Sequence, residues 1–279
     1  MNKNITLLFV FLSLLVSCKS SKNVTLNESK YYTDSIYSNS LSEYRKHNIY
    51  LPKGFNSKKN YPIIYKTDGI TIDERRFYKE TLDSLINNKI IQPIILVESY
   101  CNTKIADSTS TKTGDGKTVK HMFRYFEYVE NQTNDTVFLK RFPNHMNYFK
   151  NEMMVQIEKK LNQTITKNDR YFYGVSNGGD FGLSLLNKHP ELIGTYLCFS
   201  SVGMNSSKDW KKDINYPNLY IVYGTEEGEW VSQQNEFMKK VYLESNSFAE
   251  IRSFEGGHDY KIWEKELVNN LINLFPSKK

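Results

Sequence analysis

The sequence predicts an α/β fold: a mostly parallel central sheet with helices on both faces. Three observations carry that expectation. Short β-type runs alternate with longer stretches of helical periodicity over most of the chain. Some runs are apolar without alternation, Ile94–Val97 (IILV) above all, as expected of strands buried on both faces. The 279 residues, 39% of them hydrophobic, suffice for one well-buried core, and α/β folds of this length are commonly one domain.

The elements follow in order. Tyr44–Leu51 and Tyr61–Tyr65 (YPIIY) read as strands, the second followed by a turn at Asp68–Gly69. Glu74–Asn87 carries helix-spaced Phe77, Leu82 and Leu85. Residues 101–120, rich in Thr, Ser and Lys, predict a mobile surface loop after the Ile94–Val97 strand, placed where it could border a ligand site. Asn147–Leu161 repeats apolar residues every four positions and predicts a helix. Then come Arg170–Gly174 (strand), Gly178–Lys188 (helix), Thr195–Phe199 (strand), Leu219–Tyr223 (strand), Ser232–Ser245 (helix), Ala249–Phe254 (strand) and Ile262–Phe275 (helix).

The first residues predict export. Met1–Asn4 is short and basic, and Ile5–Val16 is apolar but too short to span a bilayer as a helix, which suits a signal peptide over residues 1–17. Leu15-Val16-Ser17-Cys18 looks like a bacterial lipobox, so Cys18 is the expected lipidation site. Acyl chains there, at about 0.8 kcal/mol per buried CH₂, would anchor the protein to a membrane of the cell envelope. Residues 18–34 are then the lipidated cysteine and a flexible tether, and 35–279 the folded domain. Two cysteines remain. Cys198 lies in an apolar strand, Cys101 in the predicted loop, and whether they pair stays open.

The formal charge is +6, with acidic and basic residues interleaved. No basic stripe with interspersed aromatics is present, so nucleic-acid binding is not expected.

The chemistry centres on Gly174-Val175-Ser176-Asn177-Gly178, a G-x-S-x-G sequence between a predicted strand and a predicted helix. That context puts Ser176 on a tight, strained turn with its hydroxyl exposed, and aims the Asn177 N–H at a developing oxyanion. A serine hydroxyl needs a base. Of the five histidines, only His189 and His258 follow Ser176. His189 ends the elbow helix and leaves no room for an intervening acid; His258, in Glu255-Gly256-Gly257-His258-Asp259, follows a strand. The acid should follow Leu219–Tyr223, where Glu226, Glu227 and Glu229 are all open.

Taken together these segments resemble the esterase D / enterochelin esterase-like group of α/β-hydrolases, over roughly residues 35–275. The resemblance rests on Tyr61-Pro62-Ile63-Ile64-Tyr65 with Asp68-Gly69, on Arg124-x-x-Glu127-Tyr128, on the elbow, on His189-Pro190, on Gly224-Thr225-Glu226-Glu227, and on Gly256-Gly257-His258-Asp259. It implies the α/β-hydrolase fold, Ser176 as nucleophile, His258 as base and Glu227 as acid, with Glu226 the alternative. It also implies Ile70 as donor of a second backbone N–H to the oxyanion. Glu227 stands where many members carry Asp, and Lys66-Thr67 replaces the usual apolar pair before the turn. The implied activity is hydrolysis of a small-molecule or carbohydrate-linked carboxylic ester, with siderophore and polysaccharide esters as candidates. No metal or organic cofactor is expected. An acyltransferase of the same fold and a non-catalytic ligand-binding lipoprotein are the competing readings.

Overall fold

The computed structural model describes residues 24–72, 76–112, 117–130, 135–201, 210–211 and 213–277. The signal-peptide and lipobox residues, Cys18 included, lie outside the described residues.

The strands in chain order are β1 (Lys30–Ser38), β2 (Glu43–Leu51), β3 (Ile63–Gly69), β4 (Ile95–Tyr100), β5 (Ile105–Lys112), β6 (Thr118–Met122), β7 (Arg170–Val175), β8 (Thr195–Phe199), β9 (Asn218–Gly224) and β10 (Ala249–Phe254). The helices are α1 (Phe77–Asn87), α2 (Phe123–Tyr128), α3 (Thr136–Asn147), α4 (Met154–Leu161), α5 (Asn177–Lys188), α6 (Glu229–Glu244) and α7 (Tyr260–Leu274). Eight strands form one sheet in the order β1-β2-β4-β3-β7-β8-β9-β10. From β4 to β10 every pairing is parallel, while β1 and β2 are antiparallel additions at one edge.

Side chains alternate across this sheet because strand periodicity is two. Ile63, Tyr65, Ile95 and Val97 face a core built with α3 to α6. Ile64 and Leu96 face a second core built with α1 and α7. Fully buried aromatics fill both, Phe149, Phe172 and Phe181 on one side and Trp263 on the other. The expected mostly parallel sheet with helices on both faces is therefore what the chain forms. Every parallel strand points its carboxyl end to the same rim, which gathers the loops after β3, β7, β9 and β10.

Several expectations need correcting. Residues 101–120 do not form a featureless loop: β5 and β6 pair antiparallel there, with Thr111 opposite Val119. β-Branched residues favour extended pairing even in a polar segment. The tether expected over 18–34 does not reach 34, because β1 starts at Lys30 and the Leu26 amide already bonds the Phe55 carbonyl. The helix expected over Asn147–Leu161 is a π-helical turn, Tyr148–Met153, continuing into α4. Its extra residue per turn brings both Tyr148 and Phe149 into the core. Helices α2 and α3 have no counterpart among the expected elements. Cys101 and Cys198 are both free thiols, with Cys198 buried. Among the described residues no helix is long and apolar enough to cross a membrane.

Candidate active site

The turn between β7 and α5 carries Ser176 with φ 56° and ψ −129°, a conformation costly for a residue with a Cβ. Neighbouring bonds impose it: the Ser176 amide donates to Phe199 O at 2.9 Å, and Ser176 O accepts from the Asp180 amide at 3.0 Å. Two glycines make the turn sterically possible. A Cβ on Gly174 would run into Gly178 O, and one on Gly178 would run into Thr67 Oγ1 and come within 2.9 Å of Asp68 Oδ2. The second contact shows that the end of β3 rests directly on the first turn of α5. Helix α5 starts at Asn177, so the Asn177 N–H is one of the first-turn donors that a helix leaves unpaired.

The end of β3 is irregular. Its register against β4 shifts between Lys66 and Gly69, and Asp68 has φ 58°. The Arg124 guanidinium clamps the Asp68 carboxylate, Nε to Oδ1 at 2.5 Å and Nη2 to Oδ2 at 2.8 Å. The Asp68 amide donates to the Tyr128 hydroxyl at 3.2 Å. Burial opposes the Asp68 charge, but the Arg124 guanidinium, with Lys66 beyond it, holds the carboxyl below the usual carboxylate range. The Cys101 thiol, buried beside that carboxylate, is pushed up to about 11. The Arg124-x-x-Glu127-Tyr128 segment thus has a physical meaning: two of its residues secure the turn after β3. Glu127, fully buried, binds Arg45 through both oxygens (2.7 and 2.8 Å) and Arg141.

At the ends of β9 and β10, Glu227 and His258 meet. Glu227 Oε1 lies 3.5 Å from His258 Nδ1. The same oxygen accepts from Ser200 Oγ at 2.5 Å and from the Gly224 amide at 3.3 Å. The Trp263 indole N–H donates to Ser200 Oγ at 2.9 Å, and its ring meets the His258 imidazole edge-on with centroids 4.5 Å apart. Four side chains therefore close a ring, Trp263–Ser200–Glu227–His258. Loop joins loop through the amides of Thr225 and Glu226, which donate to Phe254 O and Gly256 O.

Of the glutamates left open by the sequence, Glu227 approaches the imidazole, while Glu226 and Glu229 are exposed. With Nδ1 turned to Glu227, His258 has Nε2 free for another partner. Ser176 reaches this ring through the backbone: its amide bonds Phe199 O, and Ser200 is the next residue. The Ser176 hydroxyl itself makes a long 3.4 Å bond to Asn177 Oδ1 and none to His258. Ile70 lies just after β3, its carbonyl held by Asn48 Nδ2 at 2.8 Å. Sequence reasoning missed Ser200 and Trp263. Ser200 follows an apolar strand with no motif around it, and Trp263 is one apolar residue among several on α7.

Comparison with known proteins bears on the family and the fold. A search of curated protein sequences finds no match. Solved structures of similar shape include a ferulic acid esterase (TM-score 0.68, 18% identity, 89% of this chain and 98% of that one). An S-formylglutathione hydrolase from Agrobacterium tumefaciens follows (TM-score 0.65, 13% identity, 90% and 96%). The enterobactin esterase of Shigella flexneri gives a TM-score of 0.65 at 15% identity, covering 88% of this chain but 59% of that longer one. A family model described as "Putative esterase" matches residues 38–274. The chain accordingly belongs to the esterase family, as an enzyme of the α/β-hydrolase fold.

Proposed function

We propose that the protein hydrolyses a carboxylic ester through an acyl-enzyme on Ser176. His258 Nε2 takes the hydroxyl proton as Oγ attacks the ester carbonyl. Glu227 holds the imidazole by Nδ1 and stabilises the imidazolium. The Asn177 and Ile70 N–H groups bind the tetrahedral oxyanion. His258 then protonates the leaving alcohol, the ester C–O bond breaks, and water repeats the sequence to release the acid. The observation that supports this reading is the strained elbow at Ser176 together with a Glu227–His258 pair, both at the carboxyl ends of strands of one parallel sheet. The substrate class is a small-molecule or carbohydrate-linked ester.

The test is labelling by a fluorophosphonate combined with turnover of a chromogenic short-chain ester, a feruloyl ester, acetylated xylan and a catecholate trilactone. Labelling is expected in the unaltered protein and absent from Ser176→Ala. Glu227→Ala should lose roughly 100-fold or more in kcat/KM, since removing single triad members costs that much or more, whereas Glu226→Ala stays near the parent. Absence of both labelling and turnover would refute the proposal.

We further propose that the enzyme is exported and anchored through Cys18. Metabolic incorporation of labelled palmitate into the full chain, lost in Cys18→Ser, is the expected result.

A further inference from the structure

On β3, Lys66 faces the core made with α1 and α7, where the alternation of the strand calls for an apolar side chain. It is 4% exposed. Its ammonium donates to Thr67 O at 2.8 Å and to Asp68 O at 3.1 Å, and pairs with Glu98 Oε1 at 3.2 Å. Its charge also lies 4.7 Å from the centre of the Tyr78 ring. Glu98, 2% exposed, passes the network on: its Oε2 accepts from the Tyr31 hydroxyl and, at 3.5 Å, from Asn48 Nδ2. Asn48 Nδ2 donates at 2.8 Å to Ile70 O, and Asn48 Oδ1 accepts from Thr33 and Tyr100.

The carbonyls held by this network are those of residues 67, 68 and 70. They lie where the register of β3 against β4 breaks, so the sheet ladder does not fix them. The peptide unit left between them is Gly69–Ile70, whose N–H is the proposed second oxyanion donor. An oxyanion donor works only when aimed before the reaction starts.

A role in stability alone does not account for such a pair. Burying two charges costs about as much as their attraction returns, and a neutral replacement of similar volume is often equally stable. We infer that Lys66 is a positioning residue for the oxyanion site, fixing with Glu98, Tyr31 and Asn48 the peptides that flank the Ile70 N–H. This rests on the acyl-transfer reading above and adds to it a group that never touches substrate.

The experiment is the neutral double variant Lys66→Met/Glu98→Gln, in which the side-chain amide oxygen introduced at position 98 still accepts from Tyr31 and Asn48. The thermal midpoint should fall only modestly: Thr67 O and Asp68 O lose a buried donor, and removing two buried charges offsets that loss. For a chromogenic ester, kcat should fall roughly 10- to 100-fold, part of the 10²–10³ that one oxyanion donor is worth, while KM changes less than about twofold, because uniform binding is untouched. Affinity for an aryl boronic acid, which forms a tetrahedral adduct on Ser176, should fall by the same factor as kcat. A kcat within about threefold of the parent in the folded double variant would overturn the inference and leave the pair a purely structural feature. Should the double variant not fold, Tyr31→Phe removes one donor from Glu98 at a half-buried site. It should lower kcat several-fold at constant KM, and no change there would equally overturn the inference. Failure of the unaltered protein to turn over any ester would instead refute the proposed function itself.

Discussion

The Glu227 carboxylate is held by more than its imidazole. Ser200 is fully buried with φ 45°, and its hydroxyl joins the Trp263 indole to Glu227 Oε1. A short serine fits this place because one hydroxyl must accept and donate at once. Ser200→Ala leaves the indole N–H buried without an acceptor and Glu227 without its shortest bond. The expected stability loss is about 1–3 kcal/mol, the cost of an unpaired buried polar group. The expected fall in kcat/KM is roughly tenfold, as for removal of groups that orient a reacting side chain. If the hydroxyl acts through Glu227, then in a Glu227→Gln background Ser200→Ala should cost much less. A double-mutant cycle on kcat/KM measures this, and full additivity would show that Ser200 acts elsewhere.

How α5 meets β3 decides whether the site assembles. Thr67 and Asp68 press on Gly178, so the strand end that carries the proposed Ile70 donor is braced by the helix that follows Ser176. Gly178→Ala should therefore push the two apart, lowering kcat at least tenfold and costing about 1–3 kcal/mol in stability, typical of overpacking. Thr67→Ala removes the hydroxyl that the new methyl meets first. The double variant Gly178→Ala/Thr67→Ala should recover part of both losses, read by urea unfolding and by kcat. No recovery would mean that the strain lies in the helix backbone instead.

The same elements show what the sequence makes legible. Ile94–Val97 stands out because a buried parallel strand is apolar on both faces. The elbow stands out because its glycines are sterically required. Strand β1, by contrast, is an edge strand whose burial alternates weakly among Tyr, Thr, Asp and Ser, so its composition resembles a linker. Strands β5 and β6 pair with each other and not with the main sheet, so no apolar face marks them. Lys66–Glu98 and Ser200–Trp263 join residues 32 and 63 positions apart, and no local pattern encodes such pairs.

The molecule as a whole buries two histidines, His47 and His145, and these set how stability responds to acid. His145 is fully buried among Tyr128, Tyr148, Phe149 and Phe181, with Glu127, Arg45 and Arg141 as its charged neighbours. Burial pulls it down to about 3, against the opposing pull of Glu127. His47, beside Asp34 and with Lys160 beyond, is pulled down by burial to about 4. Neither ring nitrogen of His145 has a hydrogen-bond partner among the described residues. In the unfolded chain both imidazoles take up a proton below about 6.5, the ordinary histidine value. The unfolded state then binds more protons than the folded one, so stability is fully present above that value and falls with decreasing pH, down toward the depressed values. Between roughly pH 6.5 and 5, before most carboxylates titrate, each histidine contributes a slope of up to about 1.4 kcal/mol per pH unit. His145→Phe keeps the aromatic contacts and, having no hydrogen bond to lose, should fold. Its urea-unfolding free energy should lose about half of the combined slope of the two histidines, with little change at pH 8. An unchanged slope would show that His145 is protonated in the folded protein, paired with Glu127.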